Sequence, residues 1–125
     1  MRDVRVVIVE DHDALRRLLR LNLELAEGFE VVGEAADGVS GLGLVEELRP
    51  DVAVVDMRLP AMDGLSVVRA LRRRAPEVRV VVFTGWADPR DRARALAAGA
   101  DDFVCKSSDI AFLVRSIEAV GAACA

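Results

Sequence analysis

The chain is poor in the residues that most often anchor a fold covalently or carry soft-metal chemistry, with two cysteines and one histidine among 125 residues. Cys105 lies in a strand-like run and Cys124 among the last residues. That spacing gives neither a disulfide framework nor a metal-ligand pattern, and both thiols are read as reduced, in a cytoplasmic protein. No apolar run approaches the ~18 residues that a membrane span requires. The first one, Val6 to Val9, ends at once in Glu10 and Asp11, so neither a leader nor an anchor is expected. Positive charge is in deficit: Lys and Arg number 17 against 21 Asp and Glu, a net charge of -4. Direct attraction to nucleic acid or to anionic lipid is therefore not expected. Glycine is missing where a dinucleotide loop would need it. The GVSGLG run at 38–43 has the wrong order and does not follow the first strand. His12, the lone histidine, follows the acidic pair and reads as a helix-start surface residue without chemistry.

What remains is a well-patterned chain of modal domain size, 53% hydrophobic and 30% charged, read as one domain over 1–125. VRVVIV, VAVVD and VRVVVFT are strand-length apolar runs without alternation, the mark of parallel strands covered on both faces. Between them stand stretches of helical spacing, such as Leu15, Leu18, Leu19 and Leu23, or Leu65, Val68 and Leu71. Pro50 closes a helix before a strand, Asp88-Pro89 reads as an N-cap with a first-turn proline, and Gly99 as a helix C-cap. FEVVGEA supplies a second strand, DDFVC the last, and 108–120 a closing helix. The expected fold is doubly wound α/β with about five βα units around a five-stranded parallel sheet.

Ligands of such sheets bind beyond the carboxyl ends of the strands. There the chain places Glu10 and Asp11 after the first strand, Asp56 at the end of the third, Thr84 at the end of the fourth and Lys106 after the last. Clustered carboxylates repel one another unless a hard cation such as Mg2+ neutralises them through oxygen ligands. Mg2+ keeps open positions for phosphate oxygens, and a carboxylate can attack phosphorus while a cation and a lysine stabilise the transferred group. Asp56, centrally placed, is the candidate nucleophile. Lys106 is its charge partner and Thr84 a hydroxyl donor. Taken alone, Glu10-Asp11 reads first as a capping pair with Asp11 at the N-cap, Thr84 as an ordinary strand residue and Lys106 as a solvated cation. Their shared location with Asp56 favours function. Phe103 reads as core.

Over Val4 to about Val120 the chain resembles the receiver domains of two-component response regulators, with a CheY-like, flavodoxin-like fold. The matching pieces are VED, VVGEAADG, DMRLPAMDG, FTG and GADDFVCKSS, in that order. The resemblance implies that Glu10, Asp11, Asp56 and the backbone carbonyl of Arg58 hold Mg2+. It implies that Asp56 receives phosphate from a phosphohistidine of a sensor histidine kinase or phosphotransfer protein, the receiver itself catalysing the transfer. It also implies a switch: Thr84 swings toward the phosphoryl group and Phe103 rotates inward. The surface of the fourth helix (Pro89 to Ala97), fifth strand and fifth helix is thereby remodelled to alter partner binding or homodimerisation.

Three departures from the commonest pattern matter. Gly85 stands where many relatives have Ala and should make that loop more pliable. Trp86 and Arg58 are bulky residues flanking the site and are expected to tune dephosphorylation. Ser107 replaces a proline, so an all-trans loop is expected. Lys-Ser without proline, with VVGEAADG, is typical of receivers that precede a helix-turn-helix domain. The chain itself reads as a stand-alone or excised receiver. Three other functions are weaker. A pseudo-receiver would not need the full Glu10, Asp11, Asp56, Thr84, Lys106 set, a small flavodoxin-like cofactor binder wants a hydroxyl- and glycine-rich phosphate loop after the first strand, and a haloacid-dehalogenase-like phosphatase wants a second Asp where Arg58 stands.

Overall fold

The computed structural model describes residues 2–85, 88–106 and 109–122. Five strands form one parallel sheet: β1 (Val4–Val9), β2 (Phe29–Ala35), β3 (Val52–Val55), β4 (Arg79–Thr84) and β5 (Asp102–Cys105), in the spatial order β2-β1-β3-β4-β5. The helices α1 (Asp13–Leu25), α2 (Gly38–Leu48), α3 (Gly64–Arg74), α4 (Pro89–Ala98) and α5 (Ile110–Ala122) connect them. This is the doubly wound (βα)5 arrangement expected from the Val-rich runs. The expected helix at 108–120 begins at Ile110; positions 107 and 108 lie outside the described residues.

The pleat explains why the runs show no alternation. Successive side chains point to opposite faces of a strand, and both faces are covered. Val7, Val9, Val55, Val80 and Val82 pack with α2, α3 and Ala95 of α4, while Val6, Ile8, Val54, Val81 and Phe83 pack with Leu19 and Leu23 of α1 and Leu113 and Ile117 of α5. Each fully buried valine contributes about 1.5–3 kcal/mol, which lets the sheet tolerate charged groups buried at its rim. β2 is an edge strand and only half-buried. Its pairing with β1 is irregular, with a register shift between Val6 and Val7.

Helix ends follow the sequence punctuation. Asp88 caps α4 in a reciprocal box with Asp91, Pro89 occupies its first turn, and Gly99 closes it at φ 116°. Arg49 ends α2 in the left-handed region at φ 47°, directly before Pro50. Asp37 and Asp63 cap α2 and α3 through Ser40 and Ser66.

Gly64 marks the closest backbone approach near the strand ends. A Cβ there would lie 2.1 Å from the carbonyl oxygen of Asp56 and 2.7 Å from Cα of Met57. Gly64 N–H donates to Met57 O at 2.9 Å, folding the loop after β3 tightly back onto α3. Gly64→Ala should therefore destabilise the protein by about 1–3 kcal/mol, the usual cost of forcing atoms into a packed site. Urea unfolding of both proteins checks this; an unchanged midpoint would show that the loop yields without cost.

Candidate functional site

Parallel strands that start together also end together, and the carboxyl ends of β1, β3, β4 and β5 deliver Glu10, Asp56, Thr84 and Lys106 to one open cavity. Asp11, His12, Leu15, Arg58 and Gly85 complete its lining. Backbone hydrogen bonds fix these ends. Asp56 N–H donates to Val9 O at 3.0 Å, Glu10 N–H to Ala35 O at 2.9 Å, and Lys106 N–H to Thr84 O at 2.7 Å.

The side chains are arranged around the Lys106 ammonium. Its Nζ lies 2.9 Å from Asp56 Oδ2 and 2.5 Å from Glu10 Oε1. The acids themselves are almost inaccessible, Glu10 at 2% and Asp56 at 5% exposure, while Asp11 is exposed. Asp56 Oδ1 accepts from the Arg58 amide at 3.1 Å and Glu10 Oε2 from the His12 amide at 3.0 Å. Burial pushes the Glu10 carboxyl above its usual range and the charge of Asp56 adds to this; contacts with Lys106 and the His12 amide pull the other way without prevailing. Burial would lower the Lys106 ammonium, but its contacts with Glu10 and Asp56 together hold it above its usual value.

One buried atom has unused hydrogen-bonding capacity among the described residues: Thr84 Oγ1 has no partner, with Thr84 at 1% exposure, whereas Glu10 Oε1 is met by the Lys106 ammonium. Leaving such a group unsatisfied costs about 1–3 kcal/mol. Carboxylate oxygens of Glu10, Asp11 and Asp56 all lie within 4.8 Å of one another, an all-oxygen set suited to a hard divalent cation. Three carboxylates against one ammonium leave net negative charge, so the residues present fit such an ion.

Glu10, Asp11, Asp56, Thr84 and Lys106 thus converge as their strand-end positions led one to expect. Neither acid of the first pair caps α1. The cap is His12, whose Nδ1 accepts from the Leu15 amide at 3.2 Å. Phe103 stands apart from the cavity at 8% exposure, already packed inward against the core beneath α3 and α4. Gly85 lacks the left-handed backbone that only glycine tolerates well; an added Cβ would instead lie 3.3 Å from Cδ of Lys106, so its smallness makes room for the lysine stem. Trp86 and Ser107 lie outside the described residues. One residue passed over in the sequence is Asp91, buried at 3% in the first turn of α4 and in ion contact with Arg58 of the cavity at 3.6 Å. The Asp88-Pro89-x-Asp91 spacing of a capping box was the available signal.

Comparison with known proteins matches residues 6–118 to the family model described as the response regulator receiver domain. The nitrate/nitrite response regulator protein NarP of Escherichia coli is 38% identical over 115 residues, covering 92% of this chain and 54% of that one. A protein-glutamate methylesterase/protein-glutamine glutaminase of Myxococcus xanthus is 44% identical over 109 residues, covering 86% of this chain and 31% of that one. Among solved structures, a two-component response regulator of the LuxR family from Aurantimonas superposes with a TM-score of 0.92 at 36% identity, covering 97% of this chain and 86% of that one. The chain spans about half the length of the first curated relatives it matches, 55% of each.

The unpartnered hydroxyl generates a prediction. Thr84→Val keeps the shape and removes a buried group that is unsatisfied among the described residues, so it should stabilise the metal-free protein by about 1 kcal/mol. Denaturant titration reads this directly. A loss of stability would mean that Oγ1 already has a good partner.

Proposed function

Because the chain belongs to the response regulator receiver domain family, we propose that Asp56 accepts a phosphoryl group and that the surrounding side chains support the transfer and its readout. The observation that carries this reading is the buried Asp56 carboxylate sharing one open cavity with a buried threonine hydroxyl that has no partner among the described residues. Glu10, Asp11, Asp56 and the backbone carbonyl of Arg58 are the groups that would hold Mg2+, which supplies positive charge to phosphoryl oxygens beside the acceptor.

In the transfer, a carboxylate oxygen of Asp56 forms a bond to phosphorus as the phosphorus–nitrogen bond of a donor phosphohistidine breaks. The electron pair returns to the imidazole, which takes up a proton. Lys106, 2.9 Å from Asp56 Oδ2, stays with the acceptor and compensates the charge gathering on the phosphoryl oxygens. Thr84 donates its O–H to one of those oxygens. A sensor histidine kinase or phosphotransfer protein is the donor in this reading, which places the exchange in the cytoplasm. Among the described residues no helix is long and apolar enough to cross a membrane. The chain's own chemistry is confined to gaining and losing this group, without turnover of a metabolite.

Readout follows the backbone. Thr84 O holds the Lys106 amide, tying the end of β4 to the end of β5, and the carbonyl of Phe103 accepts from Arg92 of α4 at 3.3 Å. A shift of Thr84 toward the phosphoryl group is therefore passed to the face made by α4, β5 and α5. Partner binding or homodimerisation at that face, and an output such as the regulators and the methylesterase among the relatives carry, complete the reading.

Treatment with acetyl phosphate and Mg2+ followed by intact-mass measurement tests it. The wild type should gain one phosphoryl group and Asp56→Asn none; a wild type that stays unmodified would turn the reading toward a pseudo-receiver. Asp11→Asn, which removes a charged ligand, should weaken Mg2+ binding by about tenfold or more in calorimetry. An unchanged affinity would remove Asp11 from the metal site.

A further inference from the structure

We propose that Arg58 is an exchangeable cation, parked on Asp91 of α4 in the unmodified protein and transferred to the phosphoryl oxygens when Asp56 is occupied, with Asp91 as the positioning residue that sets its availability. The inference rests on the acceptor reading of Asp56 and concerns two side chains that this reading leaves unused.

The root of Arg58 is fixed at the acceptor, because its amide donates to Asp56 Oδ1 at 3.1 Å. Its side chain is 60% exposed, lines the same cavity, and reaches across to Asp91 Oδ2 at 3.6 Å. Passing from Asp91 to a group on Asp56 needs side-chain rotation about an anchored backbone.

Asp91 is built to release it. Its carboxylate, only 4% exposed, is also met by Arg94, whose Nη1 lies 3.3 Å from Oδ1, and it accepts the Asp88 amide at 2.9 Å on Oδ2. When Arg58 leaves, the buried charge keeps one arginine and one amide, so the heavy penalty for an orphaned buried carboxylate does not arise. The competing ligand is stronger. A phosphoryl group carries more negative charge than a carboxylate, and the guanidinium fork matches its oxygens in pairs. Exchange therefore runs toward the modified site, and Oδ2 is left to the Asp88 amide alone, tightening the cap of α4. Occupancy of Asp56 and the first turn of α4 become coupled through one side chain.

The coupling is measurable with beryllofluoride, a phosphoryl mimic, titrated calorimetrically in Mg2+ against the wild type, Arg58→Met, Asp91→Asn and the double variant. Asn at position 91 retains an acceptor for the Asp88 amide, so the cap survives the test, and thermal melts of each variant confirm folding. Arg58→Met should weaken binding by about tenfold, the loss of one good charge-assisted contact. Asp91→Asn should tighten it several-fold by weakening the hold on Arg58, and should change nothing once Arg58 is absent. Exchange of the Asp88 amide with solvent should slow on binding in the wild type and not in Arg58→Met. Equal effects of Asp91→Asn in both backgrounds, or a weakening by Asp91→Asn, would overturn the exchange. Wild type that binds no beryllofluoride would instead remove the acceptor reading, and this inference with it.

Discussion

The ammonium of Lys106, held between Glu10 and Asp56, is the interaction around which the strand-end cavity is arranged. Two carboxylates nearly excluded from water stand at the ends of neighbouring strands, where mutual repulsion and lost hydration both work against ionisation. One half-buried cation, the Lys106 ammonium, answers both at short range. It comes from the loop after β5, at the far side of the sheet from β1, so the cavity is assembled only when β4 and β5 have docked on β3. The all-parallel order is what allows this, since each strand contributes its carboxyl end to the same rim.

That arrangement also accounts for the readiness of the site to take a ligand. The lysine balances one charge among Glu10, Asp11 and Asp56, and the Thr84 hydroxyl has no partner among the described residues. A fully satisfied network would be rigid and inert. Here the remaining capacity is spread over atoms that face one cavity, while the surrounding valines supply the stability that tolerates it.

Much of this is legible in the sequence. The Val-rich runs marked β1, β3 and β4 because parallel strands with both faces covered need no alternation, and the residues just past those runs then had to share a rim. Helix boundaries at Asp88-Pro89 and Gly99 could be read from capping chemistry. What the sequence could not convey were contacts made across the rim. His12 rather than Asp11 caps α1, a choice set by where the chain turns after Glu10. Gly85 serves the lysine stem beside it more than its own backbone freedom. Asp91 looks like one more helix-start acid until the fold brings Arg58 to it, thirty-three positions earlier in the chain.

The irregular pairing of β2 with β1 has a bearing on how the protein behaves in a crowded solution. β2 is the outer strand on its side of the sheet, and an outer strand offers unpaired backbone groups to any other chain that comes alongside. Here the register slips between Val6 and Val7, which disrupts the flat ladder a visitor would extend. Glu30 adds an exposed negative charge near the start of the strand, and Glu34 is held by Arg16 and Arg20 near its end. A second copy approaching strand to strand would meet Glu30 with its own Glu30 on an irregular edge. Strand-to-strand growth of the sheet from its β2 side is thereby discouraged.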